Sequence, residues 1–378
     1  MVGLIKLAYR QLVNDRGKFF ALLLGISFAV FLMVMMTSAF AGVMKRSSST
    51  VTNTGAKMWV MDRAVNNMLS AIPMPDYVLD AVRSTPGVRY AVPLYSGAGL
   101  VHLDDGTFQS ASIIGLDDSS LLGRPEMLEG SIQDLYAGDG VIVVKDSEYA
   151  KLNRPKIGTT FEINDRRAVV VGIAKVAAGG LFGQPTLYTT YRRATEYVPS
   201  PRFTMSFVLV EPENPAAVPG IQRAVSDVGY LALTEDQLTA RIANFYKYKT
   251  GVGTNILLMT LISFIVGLSI SAQTFYAYVL ENLERFGALK AIGAKSHELV
   301  VVILFQVGFT ALCGYGLGVG LCTGLIELAR ARLPSYASIV TFGNLTFAFA
   351  MVLVIAGVSG YLGIRRVLRI EPFDIFRT

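Results

Sequence analysis

Cysteine, histidine and tryptophan are scarce in this chain: two, two and one among 378 residues. Charge is scarce as well, at 16%, where a soluble domain carries about 25%. Each shortage excludes something. Cys313 and Cys322 both fall inside one apolar run, so the polar half of the chain holds itself together by packing alone, without disulfides. His102 and His297 fall on opposite sides of a membrane in the topology below, so no histidine pair can share a zinc within one chain. No Gly-x-Ser-x-Gly occurs. A phosphate-binding loop needs Gly-x-x-x-x-Gly-Lys-Ser/Thr. The nearest approach runs from Gly287 to Gly293 ahead of Lys295-Ser296, with its second glycine one residue late and followed by Ala294. The chain by itself is expected to be no enzyme.

What it has in abundance is apolar sequence, 52% of all residues. Four stretches carry no charge: Phe19–Met44, Gly251–Leu280, Leu299–Ile326 and Ala337–Ile364. Each exceeds the roughly 20 residues that a helix needs to cross a bilayer. The first is too long for the core of a signal peptide, and bulky Met33-Val34-Met35-Met36 stands where a peptidase wants small residues. It reads as a retained anchor. Basic residues set the orientation. Lys6, Arg10, Arg16 and Lys18 precede the first run, Arg285, Lys290 and Lys295 lie between the second and third, and Arg365, Arg366, Arg369 and Arg377 follow the fourth. In a one-plus-three arrangement all three groups share the cytoplasmic side, as do both termini. These flanks account for the net charge of +6 without nucleic acid.

The expected fold class is therefore an α-helical membrane protein with a mixed α/β extracytoplasmic domain. The boundaries expected are 1–18 for a cytoplasmic amphipathic helix, 19–44 for the first span and 45–250 for the outer domain. Residues 251–280, 299–326 and 337–364 form the remaining spans, 281–298 the cytoplasmic loop and 365–378 the tail. Within the outer domain, 57–61, 141–144, 159–163, 168–176, 205–210 and 230–233 read as strands, and 75–85 and 216–228 as helices. Asp104-Asp105-Gly106 predicts a hairpin joining 88–103 to 108–116. Residues 117–204 read as a β-rich insert. Glu235–Thr250 reads as a helix that either continues into the second span or hinges at Gly251 and Gly253. Gly179 to Gly183 reads as a loop with an apolar tip.

Inside the runs polar groups are few: Gln273, Gln306, and Glu327 near the outer end. No charged relay crosses the membrane, which argues against an ion-coupled transporter. The third run carries Gly314, Gly316, Gly318, Gly320 and Gly324, small residues that let helix backbones approach closely. Their default partner is the second or fourth run, with a dimer seam as the alternative.

The loop 281–298 is the most informative segment. Leu283, Phe286, Leu289 and Ile292 recur every three residues with Gly287 and Gly293 interleaved, which predicts a helix end, a bend and a second helix start. It is either a solvated connector or a docking element for a partner's groove. Glu284-Arg285-Phe286-Gly287-Ala288-Leu289-Lys290-Ala291-Ile292-Gly293-Ala294 closely resembles a signature of the MacB/FtsX-like ABC permease superfamily. So do Leu7 to Leu12 with Leu24-Gly25-Ile26, and the terminal Glu371-Pro372-Phe373-Asp374-Ile375-Phe376-Arg377, where Asp374 replaces the commoner glutamate. Gln11-Leu12 and Gln273-Thr274 to Leu280-Glu281 look most like the DevC-type branch.

The resemblance implies one half of a homodimeric inner-membrane permease, driven by mechanotransmission from a separate ABC ATPase that binds the ATP and magnesium. Glu284 to Ala294 would couple the two, with Phe286, Leu289 and Ile292 filling a groove on the ATPase and Glu284, Arg285 and Lys290 at its rim. Gly287, Gly293 and Ala294 belong to the same coupling stretch. The β-rich insert would engage a membrane-fusion protein and, through it, an outer-membrane channel. The cargo implied is a hydrophobic or amphipathic compound; no substrate-binding residue is assigned. An FtsX-like transmitter that activates an envelope hydrolase is the alternative, and a haem- or lipoprotein-releasing relative is a third, with Met33, Met35, Met36, Tyr246 and Tyr248 near the outer face.

Overall fold

A computed structural model describes residues 2–176, 183–198, 205–333 and 336–368. It falls into two compact units, one helical (Met1–Gly42, Gly253–Arg332 and Ser338–Thr378) and one α/β (Val43–Val252 and Leu333–Ala337). The Gly179 loop, apart from Gly183, and the terminal Glu371 motif lie outside the described residues.

The chain opens with α1 (Val2–Asn14) and α2 (Arg16–Ser47). Between them Asp15 acts as a cap, its carboxylate accepting from the Lys18 amide at 3.4 Å. The α/β unit then runs α3 (Ser49–Thr54), β1 (Met58–Met61), α4 (Tyr77–Arg83), β2 (Val88–His102), β3 (Phe108–Leu116), β4 (Glu126–Gly130), β5 (Gly140–Val144), β6 (Thr160–Ile163), β7 (Arg166–Lys175), β8 (Thr186–Thr190), α5 (Tyr191–Tyr197), β9 (Phe207–Pro212), α6 (Val218–Asp227), β10 (Leu231–Thr234) and α7 (Glu235–Asn244).

The ten strands make one sheet in the order β10-β1-β9-β2-β3-β8-β5-β7-β4, with β6 against β2 and β7. At one end, β1-α4-β2 and β9-α6-β10 interleave as a split βαβ motif with antiparallel neighbours. Met58, Val60, Val78, Val82, Val208 and Ile221 pack together there. The 117–204 stretch does not build a sheet of its own. β2 is long enough to belong to both lobes: Val88 to Leu94 pair with β9, and Tyr95 to His102 pair with β3. β8 then lies parallel to β3 and carries the sheet onward. The expected hairpin forms with Gly106 at φ +80°, a left-handed turn position that suits glycine.

The helical path from α7 is interrupted. A π-helical turn, Phe245–Lys249, follows α7, and Thr250 is extended at φ −114°, ψ 158°. Of the two readings of Glu235–Thr250, the uninterrupted helix is excluded, and the break falls at Thr250, one residue before Gly251.

One ion cluster in this unit is centred on a buried carboxylate. Glu148 has no exposed side-chain surface and pairs with Lys151 at 2.8 Å and Arg46 at 3.7 Å. Burial pushes the neighbouring Asp146 carboxyl above its usual range. Removing one partner from a buried ion pair leaves a charge uncompensated, at a cost of about 3–5 kcal/mol. Because Lys151 remains, Arg46→Met is expected to destabilise this unit by about 2–3 kcal/mol. Thermal unfolding followed through Trp59, the only tryptophan and completely buried, checks it. An unchanged midpoint would contradict the assignment.

The chain then forms α8 (Gly251–Glu281), α9 (Leu283–Ala291), α10 (Ser296–Arg332) and α11 (Phe342–Leu368). Among the described residues four helices, α2, α8, α10 and α11, are long and apolar enough to cross a membrane. Two of the α10 glycines face a helix other than the expected second or fourth run. A Cβ at Gly314 would lie 2.6 Å from Ile26, and one at Gly318 would lie 2.6 Å from the Ser27 carbonyl and 2.7 Å from Val30. Both contacts are with α2, the first run. Gly267 of α8 meets Ala29 of the same helix. At the other end Glu327 pairs with Arg330 at 2.9 Å.

Candidate functional site

The segment singled out in the sequence folds as helix, bend and helix. Asn282 precedes α9 and is buried; its side-chain amide donates to the Tyr278 carbonyl at 2.8 Å, and its own carbonyl accepts from Arg285 at 2.8 Å. At the far end the Ala294 amide donates to Leu289 and the Gly293 amide to Lys290, the paired bonds of a Schellman cap. Gly293 is at φ +104°, where a side chain would be strained. Glu298 then accepts from the Lys295 amide at 2.8 Å to start α10.

Helix α1 lies against α10 with Ala8 and Leu12 buried. The rings of Tyr9 and Phe309 meet edge to face at 5.4 Å. Gln306, fully buried in α10, joins the elements: its amide nitrogen reaches the Ala8 carbonyl at 3.1 Å and the Tyr278 hydroxyl at 3.0 Å. A hydrogen-bonded chain thus runs from Arg285 through Asn282, Tyr278 and Gln306 to α1. Lys18 ties the base of α2 to Asp15 and to Glu281 at the end of α8.

Held in this way, α1 and α9 form the walls of an open groove of about 820 Å³. Leu7, Val13, Leu289 and Ile292 give it apolar surface, and Arg10, Arg16 and Arg285 line it with guanidinium groups. Among the described residues there is no cluster of three or more metal-ligating side chains.

Residues 19–228 match the profile of the MacB-like periplasmic core domain, and residues 256–372 that of the FtsX-like permease C-terminal region. The first match alone covers more than half of the chain.

The chain belongs to the MacB/FtsX-like ABC permease family.

The permease is 25% identical over 348 residues to an uncharacterised ABC transporter permease of Mycobacterium tuberculosis strain H37Rv, covering 91% of this chain and 90% of that one. It is 24% identical over 326 residues to the macrolide export ATP-binding/permease protein MacB of Psychrobacter cryohalolentis, 80% of this chain but 46% of that protein. A putative hemin transport system permease protein of Staphylococcus haemolyticus is 23% identical over 146 residues, 39% of this chain and 40% of that one. The periplasmic region of MacB from Actinobacillus actinomycetemcomitans superposes with a TM-score of 0.37 at 14% identity, over 50% of this chain and 93% of that one.

The structure divides the signature residues of the permease into two sets. Ile292 is 85% exposed, Arg285 and Glu284 are exposed, and Leu289 and Lys290 are half-buried. Phe286 is completely buried, and Gly287 beside it is buried. The expectation that Phe286 fills a groove on a partner is therefore corrected: its ring is buried within this chain and anchors α9. Ala294 and Gly293 serve the cap. Leu7 and Val13, with Arg10 and Arg16, were not among the site residues expected. Their basic character was visible only as a topological flank, because nothing in a linear reading brings residue 10 beside residue 285.

Proposed function

We propose that the permease is the membrane half of an ATP-driven exporter, and that the α1–α9 groove is where its ATPase docks. In this reading the four apolar helices span the inner membrane in a one-plus-three order, with both termini and the groove in the cytoplasm. The distribution of basic residues supports that orientation. Nucleotide turnover in the ATPase moves α9, and the connected helices pass that motion to the α/β domain outside, in two permease copies related as a dimer. The cargo is a hydrophobic or amphipathic compound taken from the periplasm or outer leaflet, handed on through a membrane-fusion protein and an outer-membrane channel. The ATP and magnesium are held by the ATPase.

The observation that carries this reading is the groove itself. An open surface with apolar and cationic lining, built from the family signature and the N-terminal helix together, is a poor ending for a plain connector and a good receptor for a protein segment. The test is co-purification of the full chain from its native membrane. An exporter is expected to bring an ABC ATPase and a membrane-fusion protein, and nucleotide turnover is expected to rise when the permease is added to that ATPase. Recovery of an envelope hydrolase with no fusion protein would replace export by signal transmission.

A further inference from the structure

The strongest unassigned feature of the molecule is the charge of the groove. Arg10 comes from α1, Arg16 begins α2 and Arg285 comes from α9, yet all three line one surface. No carboxylate lines it among the described residues. The acids close by are engaged elsewhere: Asp15 and Glu281 both pair with Lys18, and Glu298 caps α10. Glu284 is exposed outside the groove lining. Among the described residues none of the three arginines takes part in an ion pair, and Arg285 is oriented by its bond to Asn282. Three like charges brought together without a counter-charge repel one another, and guanidinium is the cation best suited to fork-like pairing with a carboxylate.

From this we infer that the docking element of the ATPase carries carboxylates beside an aliphatic side chain, the carboxylates meeting Arg10, Arg16 and Arg285 and the aliphatic group meeting Leu7, Leu289 and Ile292. The inference rests on the reading of the groove as the ATPase site and adds its chemistry. A phospholipid headgroup is the competing anion, but it presents no apolar atoms at the level of its phosphate to match Ile292. Membrane flanking alone does not explain the cluster either: Arg365 and Arg366 lie in the last turn of α11 and stay out of the groove.

The experiment compares full-length permease variants co-expressed with their ATPase and assembled in nanodiscs containing phosphatidylglycerol. The triple variant Arg10→Glu, Arg16→Glu, Arg285→Glu is expected to retain at least about tenfold less ATPase than wild type, since reversal sets like charges against each other. Arg10→Lys, Arg16→Lys, Arg285→Lys keeps the charge and is expected to retain most of it. Arg365→Glu with Arg366→Glu is expected to match wild type. Wild-type assembly is also expected to weaken between about 0.05 and about 0.5 M salt, a readout that needs no variant to fold. ATPase retained by the glutamate triple as by wild type, or assembly indifferent to salt, overturns the acidic partner while leaving the docking site standing. Loss of bound phosphatidylglycerol with full ATPase retention assigns the groove to lipid and overturns it too. An ATPase that fails to bind even wild-type permease overturns the underlying reading instead.

Discussion

Gly318→Leu is expected to prevent stable accumulation of the permease, whereas Gly316→Leu and Gly320→Leu in the same helix are expected to be tolerated. The difference lies in what each added side chain meets. At Gly318 even a Cβ would sit 2.6 Å from a backbone carbonyl of α2, and backbone cannot rotate aside as a side-chain tip can. At Gly316 and Gly320 a Cβ meets nothing within 4 Å among the described residues. Overpacking a close helix contact costs about 1–3 kcal/mol and sometimes more, and a leucine at this site belongs at the upper end. In a membrane, where apolar burial gives helices little reason to associate, such close contacts are a main source of cohesion. Membrane yield and detergent melting of the three variants decide the matter; equal behaviour would mean that α2 and α10 are not packed as described.

The second large effect concerns the groove. Ile292→Asp is expected to abolish the rise in ATPase turnover on assembly while leaving the permease folded. Ile292 is 85% exposed, so a carboxylate there costs the fold little. At the centre of an interface a lost apolar anchor costs about 2–4 kcal/mol, and a carboxylate among the expected carboxylates of the partner adds repulsion. Phe286→Ala makes the contrast. Its ring is completely buried, and removing such a ring costs about 3–5 kcal/mol of stability, so this variant is expected to be lost before coupling can be measured. Stimulated turnover in Ile292→Asp equal to wild type would remove Ile292 from the docking surface.

Sequence made the helices legible because the signal was long and unambiguous. Phe19–Met44 lies inside α2 and Leu299–Ile326 inside α10. The hairpin at Asp104-Asp105-Gly106 and the bend at Gly293 were legible because turn chemistry is local. β4 was missed because Glu126–Gly130 is mostly exposed and does not alternate, and β8 because Thr186–Thr190 is short and buried almost throughout, so it shows no alternation either. The partner of Gly314 and Gly318 is α2 and not the expected second or fourth run, because spacing shows that a helix can be approached closely, without showing by which neighbour. The site was half legible. The signature located α9, but the other wall of the groove comes from a helix nearly 300 residues earlier, joined to it by Gln306. The resemblance places Phe286 outward, and threefold spacing on a short helix cannot correct it, because such spacing does not say which side meets the protein.

The docking face can be tested most directly by where residue 292 lies. With Cys313 and Cys322 replaced by alanine, Ile292→Cys is expected to react with a membrane-impermeant maleimide in inverted vesicles and not in intact cells, and to be protected when the ATPase is added. Labelling of residue 292 from outside intact cells, or full reactivity with the ATPase bound, would contradict the proposal that nucleotide-driven force enters the permease here.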